Sequence, residues 1–179
     1  MTFQLLFSFI RYLYETRFME FKRVEDVLIN YALLVRDGYK EKLASDGINA
    51  SGSLSNSVQA MVDVNGTQYE VYLTLNSYWK WIEGGRPPTQ QNGDGELRRK
   101  ILEWIKVKPV IPTPFNGKLP TEEQLAYLIS RKIHTLGYEG KQPLQRTIDE
   151  LEDMLMEDLQ IAMAEDIAEE VDKIMLLIK

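Results

Sequence analysis

The residues of this chain with the means to do chemistry are carboxylates near its end. Glu150 and Asp153, Glu157 and Asp158, and Glu165 and Glu169 lie close enough in sequence to pair. Acid–base catalysis or metal binding requires such groups to converge in an apolar pocket, usually beside a third kind of ligand. These instead follow one another along the polar side of a helical pattern, so the expectation is a solvated acidic face. One histidine, His134, and no cysteine leave no His-rich metal centre and no Cys–His nucleophilic pair. His134 falls near a helix C-terminus and reads as helix surface, where a charged imidazole would suit the helix dipole. Ser51, Ser53, Ser55 and Ser57 form no G-x-S-x-G elbow. Gly84 and Gly85 lack the Lys-Ser/Thr of a phosphate-binding loop. Arg98, Arg99 and Lys100 stand near Trp104, but Trp104 shares a helical side with Leu97 and Ile101 and reads as core. The expectation is a protein with no catalytic residue, no cofactor and no metal, and hence not an enzyme.

The densest aromatic cluster is Tyr78, Trp79, Trp81 and Ile82. Tyr, Trp and Arg dominate the energetics of protein interfaces. The cluster therefore reads both as a local core and as an interface anchor, with Trp81 buried and Trp79 or Arg86 turned toward a partner.

These residues need elements to hold them. Phe18, Phe21, Val24, Val27, Leu28, Tyr31, Leu34, Val35 and Tyr39 recur at spacings of three, four and one, which predicts an amphipathic helix over about 15–44. Ser45, Asp46 and Gly47 supply its stop. Residues 48–57, rich in Ser, Asn and Gly, read as a loop. The period then falls to two. Val58, Ala60, Val62 and Val64, then Tyr69, Val71, Leu73 and Leu75, alternate with other residues on either side of Asn65 and Gly66. That dipeptide tolerates the positive φ of a type I′ turn, so the expectation is a β-hairpin with one face under the first helix. Gly84, Gly85, Arg86, Pro87 and Pro88 end the aromatic segment in a turn. A helix is expected over 96–107, then a connector over 108–120 holding four of the seven prolines. Thr121 with Gln124 forms a capping box for a helix ending near Gly137. A last long, acidic helix covers 144–179 on Ile148, Leu151, Leu155, Leu159, Ala162, Ile167, Val171 and Ile174. The fold class expected is α+β in a single domain, 1–179: a long N-terminal helix on a small antiparallel sheet, with further helices.

The bulk numbers agree. The chain has 179 residues, 44% hydrophobic and 27% charged, with net charge −6, which suits one globular domain. The charge is uneven. Residues 86–146 carry 11 basic and 6 acidic side chains, whereas 147–179 carry 2 basic and 11 acidic. The acidic end repels nucleic acid and would attract the basic middle of a neighbouring subunit. The opening stretch, MTFQLLFSFIRYLY, has no basic residue before its short apolar run and no small-residue cleavage site after it. It reads as an apolar arm over 1–18, neither a signal peptide nor a membrane span, packing on its own core or a neighbour.

In order, a long helix, SGSLSNS at 51–57, a hairpin, YWKWIEGG at 78–85 and GKQPL at 140–144 resemble the tail-completion or head–tail connector family of tailed bacteriophages. The resemblance covers about 19–89 and 137–165, with the remainder read as insertion and extension. Two departures stand out. Arg86 replaces the usual Thr after the second Gly, and no Phe follows Pro143. The resemblance implies a structural virion protein, assembled in the host cytoplasm, that forms a ring in the neck or at the tail top. Its partners would be further copies and portal, neck or tail proteins, with DNA passing nearby without sequence-specific binding. The interface or structural residues expected are Asn65 and Gly66, whose turn sets the hairpin register, Tyr78, Trp79, Trp81, Glu83, Gly84 and Gly85, whose segment locks the hairpin to the fold, and Arg86. Contacts are expected at Trp79, Arg86 and the hairpin edges. The alternative is a cytosolic protein-binding adaptor of a regulatory or toxin–antitoxin complex. A third reading is a small carboxylate-using hydrolase.

Overall fold

The structure, a computed structural model, describes residues 21–65, 68–89, 95–108, 110–114 and 117–178. The expected arm over 1–18, the onset of the first helix before Phe21, and Gly66 lie outside the described residues. The elements in order are α1 (Lys22–Ser45), α2 (Ser53–Ser57), β1 (Gln59–Asn65), β2 (Gln68–Thr74), α3 (Trp79–Gly84), α4 (Glu96–Val107), α5 (Glu122–Leu136) and α6 (Pro143–Leu177). This is a mixed fold, 66% helical, with one two-stranded antiparallel sheet and a long helix near each end. The described residues divide into two compact units, one drawn from 21–34, 60–73 and 150–178, the other from 35–59 and 74–149.

In the first unit the hairpin shows the expected alternation. Ala60, Val62, Tyr69, Val71 and Leu73 are partly covered while their neighbours face solvent. Val64, near the tip, is exposed instead. The Tyr69 hydroxyl donates to the Phe21 carbonyl at 3.4 Å, tying β2 to the start of α1. Val24, Ala32 and Ala162 are buried apolar side chains of this unit.

A second tie is ionic. Asp166 of α6 is only 3% exposed. Its carboxylate accepts from the Arg23 and Val24 amides at 2.9 and 3.1 Å and from Arg23 Nη1 at 2.9 Å. An N-cap side chain does this from the adjoining residue; here it arrives from 142 residues away. Arg23 also bonds Glu169 at 2.7 Å and approaches Glu165 at 3.3 Å. This corrects the uniformly solvated acidic face, because part of it grips the start of α1.

The inward line of α6 therefore runs through Leu155, Leu159, Ala162 and Asp166. Ile167, Val171 and Ile174, expected on the same stripe, are 44%, 51% and 42% exposed. One helical stripe has become two, because a buried carboxylate holds the inward position.

In the second unit α1 ends as expected. The Ile48 amide donates to the Leu43 carbonyl and the Gly47 amide to the Ala44 carbonyl, each at 3.0 Å. With Gly47 at φ 66 this is a Schellman ending, and Ile48 packs beside Leu43 as that motif prefers. The loop expected over 48–57 contains the one-turn helix α2. Leu54 is the reason. It is buried with Tyr39, Leu43 and Val58, burial worth about 1.5–3 kcal/mol for a side chain of this size. The serines around it satisfy backbone groups: Ser57 Oγ donates to the Leu54 carbonyl at 2.8 Å and accepts from the Asn76 amide at 3.0 Å. Helices α4 and α5 pair around Ile101, Ile105 and Ala126 as a second small core. The capping box at Thr121 and Gln124 is present in both directions. The described parts of the proline-rich connector contain no helix and no strand of the sheet.

Candidate functional site

The segment with the densest aromatics is also tied to distant sequence. Arg86 and Tyr138 exchange backbone hydrogen bonds as an isolated antiparallel bridge, at 2.8 and 2.9 Å. The Lys141 amide donates to the Ile82 carbonyl at 2.9 Å, and the Thr89 amide to the His134 carbonyl at 2.8 Å. Glu83 completes the seam. Its carboxylate accepts from the Leu144 amide at 2.8 Å, in the first turn of α6. The open amides and dipole of a helix start favour a carboxylate there. Pro143, which lacks an amide hydrogen, suits the first helical position and is buried.

The two glycines of the dipeptide differ. Gly85 has φ 71 and ψ −162, a conformation essentially reserved for glycine. A β-carbon there would collide with the Tyr138 carbonyl, and one at Gly140 would collide with the Glu83 carbonyl. Gly84 is exposed, and a β-carbon on it would meet nothing within 4 Å.

On the open side of this seam is a groove of about 790 Å³ within the second unit. Its apolar wall includes Trp81, Ile82, Leu97, Trp104, Val107 and Ile133, and Lys100 and Glu103 stand among its lining. Arg86 lies over the Trp81 ring, 5.5 Å from its centre, an attraction between a cation and the negative ring face. Lys100 pairs with Glu96 at 2.7 Å. Burial pushes the Tyr138 hydroxyl above its usual pKa, while Arg86 draws it the other way.

The structure reverses the two tryptophans. Trp79, expected outward, packs on the cluster of Tyr39, Leu43, Leu54 and Val58. Trp81, expected buried, is 50% exposed. In a one-turn helix, residues two apart point to nearly opposite sides, and the Tyr39 cluster claims the side of Trp79. Trp104, expected in the core, is 38% exposed and lines the groove. Tyr78 also lines it, and Asn65 lies exposed at the end of β1. His134 is more than helix surface, since its Nδ1 lies 2.5 Å from Thr89 Oγ1. Arg98 lies over the Tyr127 ring at 5.7 Å, so part of the basic triplet is used within the helical pair.

Two features were missed in the sequence. Glu83 stands in the sequence only within the 78–85 block, and its distance of 60 residues from Pro143 hides the cap it forms. Tyr39 is fully buried, and its hydroxyl has no hydrogen-bond partner among the described residues. Burial, with Glu83 and Tyr78 nearby, pushes its pKa well above the usual tyrosine value. Among the described residues, no group of three or more His, Cys, Asp or Glu is placed to hold a metal ion. No helix among them is long and apolar enough to cross a membrane.

No protein-family model, curated protein or solved structure matches the chain.

Proposed function

We propose that this protein is a non-enzymatic structural subunit of a tailed-phage virion. It forms a ring with further copies at the head–tail junction or tail top, beside portal, neck or tail proteins and around the DNA channel. It takes up that place during assembly in the host cytoplasm. One observation carries the reading. The two blocks that resemble the connector family, 78–85 and 140–144, meet through the Ile82–Lys141 backbone bond and the Glu83 cap on α6. The intervening residues contribute a helical pair with its own small core. Blocks that pack together while the sequence between them forms a separate subcore are what an insertion into a shared scaffold would leave. The acidic surface of α6 supports the same reading, because Glu157, Asp158 and Asp172 are exposed. A channel wall of that sign would let DNA slide without adhering.

The test is genetic. Removing the gene from a producing phage is expected to leave DNA-filled heads and finished tails that do not join. Normal joined particles would contradict the proposal. A small complex with one host protein, in place of a virion component, would favour the adaptor.

A further inference from the structure

The outer stripe of α6 and the groove beside Trp81 are two apolar surfaces with opposite electrostatic surroundings. Met156, Met163, Ile167 and Ile174 recur at spacings of seven, four and seven and are 52%, 46%, 44% and 42% exposed. Such spacing keeps them on one side of the helix over about 27 Å at 1.5 Å per residue. They lie in a stretch, 147–178, where Lys173 is the only basic residue among 11 acidic ones. The groove differs in sign through its wall helix, since its own charged lining is one Lys and one Glu, Lys100 and Glu103. Helix α4 on its wall holds Arg98, Arg99, Lys100 and Lys106 against Glu96 and Glu103.

We infer that the outer stripe of α6 in one copy docks in the Trp81–Trp104 groove of the next copy. The proposal rests on the ring reading and names its interface. Charge chooses the occupant. Pairing α6 with a second α6 would bring two strongly acidic helices together, whereas the groove offers apolar side chains beside a helix with more basic than acidic residues. An amphipathic helix in an apolar groove is a recurring recognition mode. Because the two surfaces are different, a pair keeps one of each free, the groove of one copy and the stripe of the other. Such head-to-tail contacts propagate into a closed ring or an open filament, not a two-fold dimer.

Two variants of the full-length protein test this. Trp104→Glu blocks the groove and Ile174→Lys blocks the stripe; circular dichroism melts check that each remains folded. Val107→Glu and Ile167→Lys replace either variant that does not. In size-exclusion chromatography with light scattering, each variant alone is expected to be monomeric at concentrations where the unmodified chain assembles. Self-association should weaken at least tenfold. Mixing the two is expected to restore one interface and give a one-to-one pair that grows no further. An assembling groove variant beside a monomeric stripe variant would overturn the inference in favour of α6 pairing with itself. Assembly by both variants would overturn this interface and leave the ring reading standing. A monomeric unmodified chain would overturn both.

Discussion

The seam joining 82–89 to 134–145 and the groove beside it share the segment around Trp81 and Ile82, yet they are opposites. In the seam, backbone meets backbone. Glu83, Gly85 and Gly140 are fixed by hydrogen bonds and by the absence of room for a β-carbon. In the groove, Trp81 and Trp104 stay half open to solvent, with only Arg86 laid over the former. The motif thus divides its labour by residue. Trp79, Glu83, Gly85 and the Arg86 backbone hold the fold, and Trp81 and Gly84 are left to face outward. Stability and assembly should therefore respond to different substitutions only one or two positions apart.

The largest effect should come from Gly140→Ala. Its β-carbon has no space beside the Glu83 carbonyl, and the variant is expected to lose about 3 kcal/mol or more in urea unfolding. Near-wild-type stability would mean that the seam is looser than its hydrogen bonds indicate. Trp79→Ala should cost about 3 kcal/mol by emptying space beside Tyr39 and Leu43. Trp81→Ala should cost under about 1 kcal/mol while weakening assembly, so equal losses of stability would erase the distinction. Gly84→Ala should be neutral or stabilising by up to about 1 kcal/mol, since it fills open space in a helix.

The smallest effect is a pH dependence in the first unit. Hydrogen bonds from Arg23, then Lys173, hold the Glu169 carboxyl below its ordinary value of 4.5. A lowered carboxylate pKa stabilises the fold above the unfolded value, and that contribution fades as the pH falls through the folded value. Glu169→Gln should flatten the stability profile below about pH 4.5 and leave its shape above pH 6 unchanged, as read by thermal melts in stepped buffers.

Elements set by local periodicity were legible in the sequence. Helix α4, the Thr121 capping box, the stop at Gly47 and the hairpin alternation all depend on residues within a few positions of one another. What escaped depends on distant partners. The side of α3 that is buried is decided by Tyr39 and Leu54, so the assignment of Trp79 and Trp81 came out inverted. Asp166 was invisible as an inward residue because a carboxylate is buried only when something claims it, and the claimants are amides at the other end of the chain. Glu83 and Pro143 carried a recoverable signal: an acid in the 78–85 block and a proline poised to open a helix in the 140–144 block. Nothing in their spacing indicates that they meet.

The central claim is that this chain assembles with itself through unlike surfaces. Native mass spectrometry of the purified full-length protein over a hundredfold concentration range tests it most directly. The account predicts a ladder of complexes that converges on one closed size as concentration rises. A monomer throughout, or a dimer that never grows, would contradict it.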